Sequence, residues 1–283
     1  MRVRQMMIAL AVVCGCLAVL TLFFVIRSIS QSRRKSANLV FTDEQGRKMS
    51  PEDLSDFTGT VNWSIAEEKN VPESAQELLD RGRQAGANGQ HEEALRLFAE
   101  SAKIAPHWAY PVYEAAFTHL LMGNLENAEG DYARLEKLEP RGFFTYQSEL
   151  DCVRRERGGE FEPDTCRTYI LLADMPASAQ KRALLQKLLE GSPTLAPAWE
   201  KYAQLCDTDE EKMAAIEKGL ASRPDRHTRG TLLINKALIL DRRGKHDEAM
   251  ELLNSLVSAP DSSLDTVTNA RYAISHLKAH TKR

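Results

Sequence analysis

The sequence predicts an all-α protein: a right-handed solenoid of about five helical hairpins closed by a capping helix, preceded by one N-terminal transmembrane helix. Three observations carry that expectation. Met6 to Ile26 is a run of 21 residues without charge, amide or proline. From residue 75 a set of small, aromatic and proline positions returns at a stride of 34 residues. Between those positions the apolar residues fall at helical spacing and the runs end at glycine or proline.

The run 6–26 is long enough to cross a hydrocarbon core of roughly 30 Å at about 1.5 Å per residue. A helix satisfies its own backbone groups in lipid, so such a run reads as a span. A cleaved leader normally ends at small residues, whereas Leu17–Ile26 stays apolar past any candidate cut. Val13-Cys14-Gly15-Cys16 loosely resembles a lipoprotein cleavage box, but apolar residues follow it. Arg2, Arg4 and the α-amine flank one end; Arg27, Arg33, Arg34 and Lys35 flank the other. The positive-inside rule therefore leans toward a cytoplasmic C-terminal side by a single charge, and the side of the soluble part stays open.

With 283 residues, 43% hydrophobic and 27% charged, the remaining chain can bury a substantial core. The first 35 residues hold six basic residues and no acids, which leaves 31 basic against 40 acidic residues in the rest. A body with that acidic excess has no general attraction for nucleic acid. Five cysteines are too few for a disulfide framework.

The chain divides into a tail (1–5), the span (6–26), a basic juxtamembrane linker (27–37) and a small adaptor (38–72). Two clear repeats (73–140), degenerate repeats (141–261) and a capping helix with its tail (262–283) follow. In the adaptor, Leu39-Val40-Phe41-Thr42 and Thr60-Val61-Asn62-Trp63-Ser64-Ile65 are β-prone, with a turn at Asp43-Glu44-Gln45-Gly46. Ser50-Pro51-Glu52-Asp53 has the order of an N-cap followed by a first helical turn. Phe41, Leu54, Phe57 and Trp63 are expected to seat this segment on the first repeat.

Gly89, Ala94, Phe98 and Pro106 recur as Gly123, Ala128, Tyr132 and Pro140, each 34 residues on. This pattern resembles the tetratricopeptide repeat, whose consensus places A-x3-F and then P in the second helix of each hairpin. The first helices match less well: Leu78 and Val112 stand where Trp is favoured, Gly82 is present, and Ala116, Ala85 and His119 replace the second Gly and the Tyr. The spacing has its own physical sense. Gly89 can take the left-handed conformation of a helix stop, and Glu92 and Glu93 favour the positive end of the next helix. A single hairpin cannot hide its apolar face, so neighbours must stack.

Later copies are worn. Residues 232–253 keep the spacing of a full repeat through Leu233, Ala237, Leu240, Gly244, Ala249 and Leu253. Trp199 to Tyr202 opens a shorter front helix, with Met213 to Pro224 as its rear partner. Ala183 to Leu189 is another rear helix, stopped by Gly191 and Pro193. The stretch 141–176 is least regular, with helices near 143–156 and 164–174 around Gly158-Gly159.

No phosphate-cradling loop, nucleophile elbow, H-E-x-x-H or C-x-x-C occurs, so no enzyme activity, cofactor or metal is expected. His276 and His280 have helical metal-clamp spacing but no third ligand nearby in sequence. Cys152 and Cys166 fall on the two arms of the irregular hairpin: they pair if that region lies outside the cytoplasm and are buried thiols if it does not. Cys206 is expected in the core.

The resemblance implies that first helices line a concave groove that captures a partner segment. Leu79 and Arg83, with Tyr110, Tyr113, Phe117 and Leu121, are the expected groove residues, and Tyr is a favoured interface anchor. The Lys and Asn carboxylate clamp of some family members is not reproduced there, so an apolar or aromatic partner segment is expected. The expected function is a single-pass, membrane-anchored docking scaffold that contacts lipid through its N-terminal helix. The alternative is a self-assembling structural component of a membrane or envelope complex, in which a second copy is the partner.

Overall fold

The computed structural model describes residues 39–42, 47–49, 62–65, 71–142 and 145–281. Among them are three short strands and twelve helices. β1 (Leu39–Thr42), β2 (Lys48–Met49) and β3 (Asn62–Ile65) form an antiparallel sheet in the order β2-β1-β3, with Phe41 opposite Met49 and Trp63. The two β-prone runs of the adaptor are thus its longer strands. The expected span over 6–26, the linker and the helix start at Ser50-Pro51 lie outside the described residues. So do the side-chain contacts expected to seat the adaptor. Among the described residues, no helix is long and apolar enough to cross a membrane.

The helices are α1 (Glu73–Ala87), α2 (His91–Ile104), α3 (Ala109–Leu121), α4 (Leu125–Leu138), α5 (Tyr146–Arg157), α6 (Thr165–Ala173), α7 (Ala179–Gly191), α8 (Ala196–Gln204), α9 (Asp209–Ala221), α10 (Arg226–Arg242), α11 (His246–Ser258) and α12 (Leu264–Thr281). The 34-residue stride is visible as repeated stops. Gly89 and Gly123 have φ of +77° and +76°. After each, the chain donates a hydrogen bond back across the helix end, Gln90 N to Ala85 O (2.9 Å) and Asn124 N to His119 O (2.8 Å). This six-to-one closure ends a helix only where a residue can take positive φ. It recurs at Glu160 N to Arg155 O and Lys245 N to Leu240 O, after Gly159 and Gly244. Elsewhere the starts are fixed by side-chain caps from Ser178, Thr208 and Asp225.

Packing inside the first hairpin follows from residue size. A Cβ on Gly82 would sit 2.4 Å from Phe98 Cε1, so the absence of a side chain on α1 is what lets the Phe98 ring lie across it. One turn further along, a Cβ on Gly86 would stand 3.7 Å from the Ala94 methyl, an ordinary contact. The buried Ser101 hydroxyl donates to Ala75 O at 2.7 Å, so the polar atom at this crossing is satisfied. One apolar core runs from Ala75 to Ala198, and two smaller ones bind the later helices together.

Four pairs are tight hairpins: α1–α2, α3–α4, α8–α9 and α10–α11. The three helices between them, α5 to α7, are joined more loosely, in and next to the stretch that the sequence marks as least regular. Helix α6 has nine residues and packs on α5, α7, α3 and α8 without a dominant partner. Its ends are held instead by buried charges. Glu156 accepts from Asp164 N (2.6 Å) and Cys166 N (2.8 Å) at the N-terminus. At the C-terminus Lys181 Nζ donates to Ala173 O and Met175 O, both at 2.8 Å. Each charge therefore meets the helix end of opposite polarity.

First helices touch in a row, α1 on α3, α3 on α6, α6 on α8, α8 on α10 and α10 on α12. Helix α5 contacts α4, α6 and α10, and Tyr113 on α3 reaches it. An element that meets α3, α6 and α10 together packs against that row of first helices. Its burial agrees: Tyr146 to Leu150, Cys152, Val153 and Glu156 are all buried, although the helix is polar in composition. The first turn of α5 and the chain before it are tied to α10. Ser148 Oγ lies 2.9 Å from Thr228 Oγ1, and Arg226 Nη2 donates to Pro140 O at 2.8 Å.

The cap α12 is fastened by a close crossing and an ion pair. A Cβ on Gly230 would meet Thr266 Oγ1 at 2.1 Å, so α10 and α12 touch backbone to side chain there. His227 Nδ1 stands 2.5 Å from Asp265 Oδ2. Burial pushes the His227 imidazolium down, but Asp265, then Asp225 and Glu200, outweigh it and hold the group up at about 9. Asp265 is burdened by burial too, yet His227 keeps it below its ordinary value. A raised histidine adds stability that is complete below its unfolded value of about 6.5 and is lost as pH rises through the folded value. We therefore expect the urea midpoint to fall between pH 6.5 and 9, and His227→Gln to remove that slope. An unchanged slope in the variant would show that the pair does not fasten the cap.

Candidate partner-binding face

The six expected groove residues separate into two layers. Leu79 is 3% exposed and Tyr110 8%, so both belong to the core beneath the face. Arg83, Tyr113, Phe117 and Leu121 remain partly exposed above it. Arg83 bridges the first two hairpins: its Nε donates to Glu114 Oε1 at 2.7 Å, and its guanidinium lies 5.5 Å from the Tyr110 ring centre. An arginine fork with a carboxylate on one side and an aromatic face on another has little rotational freedom left. The Tyr113 and Phe117 rings stack at 6.4 Å with 22° between their planes, one helical turn apart on α3. Both rings also rest on the core, so they form a rigid aromatic step.

Behind that step is a polar cluster that the sequence does not announce. Tyr113 donates through its hydroxyl to Glu149 Oε1 (3.3 Å), and Thr145 Oγ1 donates to the same oxygen at 2.8 Å. Glu149 Oε2 and the Tyr132 hydroxyl are buried, with no hydrogen-bond partner of full geometry among the described residues. Burial raises the Glu149 carboxyl, opposed by hydroxyls of Tyr132, Thr145 and Tyr113. Burial also pushes the Tyr113, Tyr132 and Tyr169 hydroxyls well above the usual phenol range. Tyr132, read from the repeat as a packing ring, thus also aims its hydroxyl toward the α5 acid. The one signal that could have exposed this arrangement is an acid beside the apolar stripe Tyr146, Leu150 and Val153.

This cluster holds α5 against α3 and α4. It pairs no nucleophile with a base, and among the described residues no three His, Cys, Asp or Glu converge as metal ligands. The side chains of His276 and His280 lie outside the described residues. The remaining motif residues are structural. Ala94 and Ala128 are fully buried, as is Tyr132, and Phe98 is 1% exposed. Pro106 and Pro140 each stand two positions after the last residue of α2 and α4.

The fold defines the class, an array of helical hairpins resembling the tetratricopeptide type. Solved structures similar to the chain include MamA (residues 41 to end) from Desulfovibrio magneticus RS-1, with 17% identity, 65% of this chain and 94% of that chain covered, and a TM-score of 0.33. Another is YrrB, a TPR protein with an unusual peptide-binding site, at 12% identity, 77% and 95% coverage and a TM-score of 0.31. TTC0263, a thermophilic TPR protein in Thermus thermophilus, is similar at 22% identity, 71% and 98% coverage and a TM-score of 0.31. No family model matches the chain, and no curated protein matches it.

Proposed function

We propose that the protein is a membrane-anchored scaffold that docks another protein on the inner face of its first two hairpins. The observation that carries this reading is the Tyr113–Phe117 step, two partly exposed rings fixed on α3 beside Arg83. Rigid aromatic side chains bury much area at little entropic cost, so an apolar or aromatic segment gains most from them. The face available to such a segment is short, because α5 packs against the later first helices α6 and α10. The run 6–26 supplies the anchor in this reading, and confinement to a surface raises the effective concentration of scaffold and partner.

The test is Tyr113→Ala with Phe117→Ala in the intact chain, followed by proximity labelling from its C-terminus. Partners lost from the labelled set while helical content stays unchanged are those docked on the step. Truncating a pair of anchors is expected to weaken capture about 30-fold, the equivalent of roughly 2 kcal/mol. An unchanged labelled set in a folded variant would overturn the assignment of the face. Light scattering on the same preparations separates docking from self-assembly. A particle mass that grows with concentration, and shrinks in the double variant, makes a second copy the occupant.

A further inference from the structure

We infer that the helical array is displayed on the oxidising, non-cytoplasmic side of its membrane, and that a disulfide made there locks α5 to α6. Cys152 on α5 and Cys166 on α6 are bonded, with their Cα atoms 5.8 Å apart. Disulfides persist in oxidising compartments and are rare where thiol buffers keep the cytosol reduced. Both cysteines are 1% exposed. Once α5 and α6 have docked, no oxidant can reach them, so the bond has to form on a chain that is still folding. That requires the oxidant to be present where the chain folds. The step is a thiol–disulfide exchange with a disulfide-bearing oxidant. The two Cys thiols lose two protons and two electrons, one S–S bond forms in this chain, and the oxidant's S–S bond breaks to give two thiols.

Cys206 is consistent with that placement. It is the remaining cysteine among the described residues, it is buried, and its sulfur donates to Tyr202 O. Burial pushes its thiol above the ordinary range, away from the reactive thiolate. Every cysteine among the described residues is therefore either cross-linked or withdrawn from oxidants, which suits a chain kept under oxidising conditions.

The charge balance around 6–26 points weakly the other way. Four Lys and Arg residues follow the run, against two Arg and the α-amine before it. A margin of one charge is small, and folded domains cross largely regardless of flanking charge. A buried covalent bond of the kind that oxidising compartments maintain outweighs it. The membrane part of the inference rests on reading 6–26 as the anchor, whereas the compartment part stands on the bond alone.

The experiment counts thiols in the full chain, taken from cells by acid quench, denatured and treated with a maleimide-linked polymer before and after reduction. We expect two additional adducts after reduction, and none in Cys152→Ser, where Cys166 is already free. The same adduct number before and after reduction in the unaltered chain would overturn the proposal. Carbonate-washed membranes are assayed in parallel. A chain that shows the two-adduct difference yet stays in the soluble fraction refutes the anchor while leaving the oxidising compartment intact.

Discussion

Replacing Phe98 by Ala is expected to destabilise the array by about 3–5 kcal/mol, the range for removing a fully buried aromatic ring. In a helical domain of about 200 residues, each kcal/mol moves the melting midpoint by roughly 2–4 °C, so a fall of about 10 °C is expected by circular dichroism. The size of the effect follows from where the ring lies. Phe98 is 1% exposed, and its edge occupies the space over Gly82. Collapse of the cavity would need α1 and α2 to approach each other. At Gly86 the gap to the Ala94 methyl is no wider than one more methyl group, so the approach stops short of closing a ring-sized space.

The same geometry makes a coupled prediction. Gly82→Ala alone places a methyl group 2.4 Å from Phe98 Cε1, so it destabilises despite the higher helix propensity of Ala. In the Phe98→Ala background the obstruction is gone, and the added methyl partly fills the cavity. The double variant should therefore be clearly more stable than the sum of the single changes implies. Additive single and double effects would show that the ring does not rest on Gly82. The consequence reaches beyond one hairpin, because each pair in such an array is held by its neighbours. Loosening α1–α2 also loosens the support of α3, which carries the aromatic step.

The regular parts of this fold were legible because they depend on residues close in sequence. Gly89 and Gly123 announce helix stops, and the structure gives both the positive φ that the stop requires. The later hairpins were legible from Gly244, Ala249 and Leu253 for the same reason. Helix α5 was not. It reads as a polar helix next to a worn hairpin, and polarity ordinarily implies an exposed face. Its partners lie far away along the chain: Tyr113 reaches Glu149 across 36 residues, and Ser148 meets Thr228 across 80. Periodicity assigns contacts between successive elements and has no means of folding the array back on one of its own helices. The candidate face shows the same division. Spacing placed Tyr113 and Phe117 together on α3, but it could not show that Leu79 and Tyr110 lie beneath the face. Nor could it show that Thr145 and Glu149 stand behind it.

Replacing both Cys152 and Cys166 by Ser should cost about 3 kcal/mol, the chain-entropy value for a closed loop of roughly 15 residues. The two cysteines are 14 positions apart. The bond constrains the unfolded chain more than it builds the folded one, because α6 keeps its other fastenings. Glu156 still accepts from the amides of its first turn and Lys181 still donates to its last carbonyls. Helical content should accordingly change little while the guanidinium midpoint falls. Hydrogen exchange should accelerate first over α5 and α6, since the bond no longer limits their local opening. The Ser hydroxyls enter sites that are 1% exposed, which adds a desolvation cost wherever a hydroxyl finds no partner. A parallel Cys→Ala pair isolates that contribution: Ala lacks the polar atom, so the loss common to both pairs belongs to the cross-link. If the Ala pair unfolds at the same midpoint as the unaltered chain, the bond is not what holds α5 in place. The charged caps and the Glu149 cluster would then have to suffice. If α5 alone gains exchange while α1 to α4 stay protected, that helix is a separately stabilised element, and the aromatic step on α3 can persist without it.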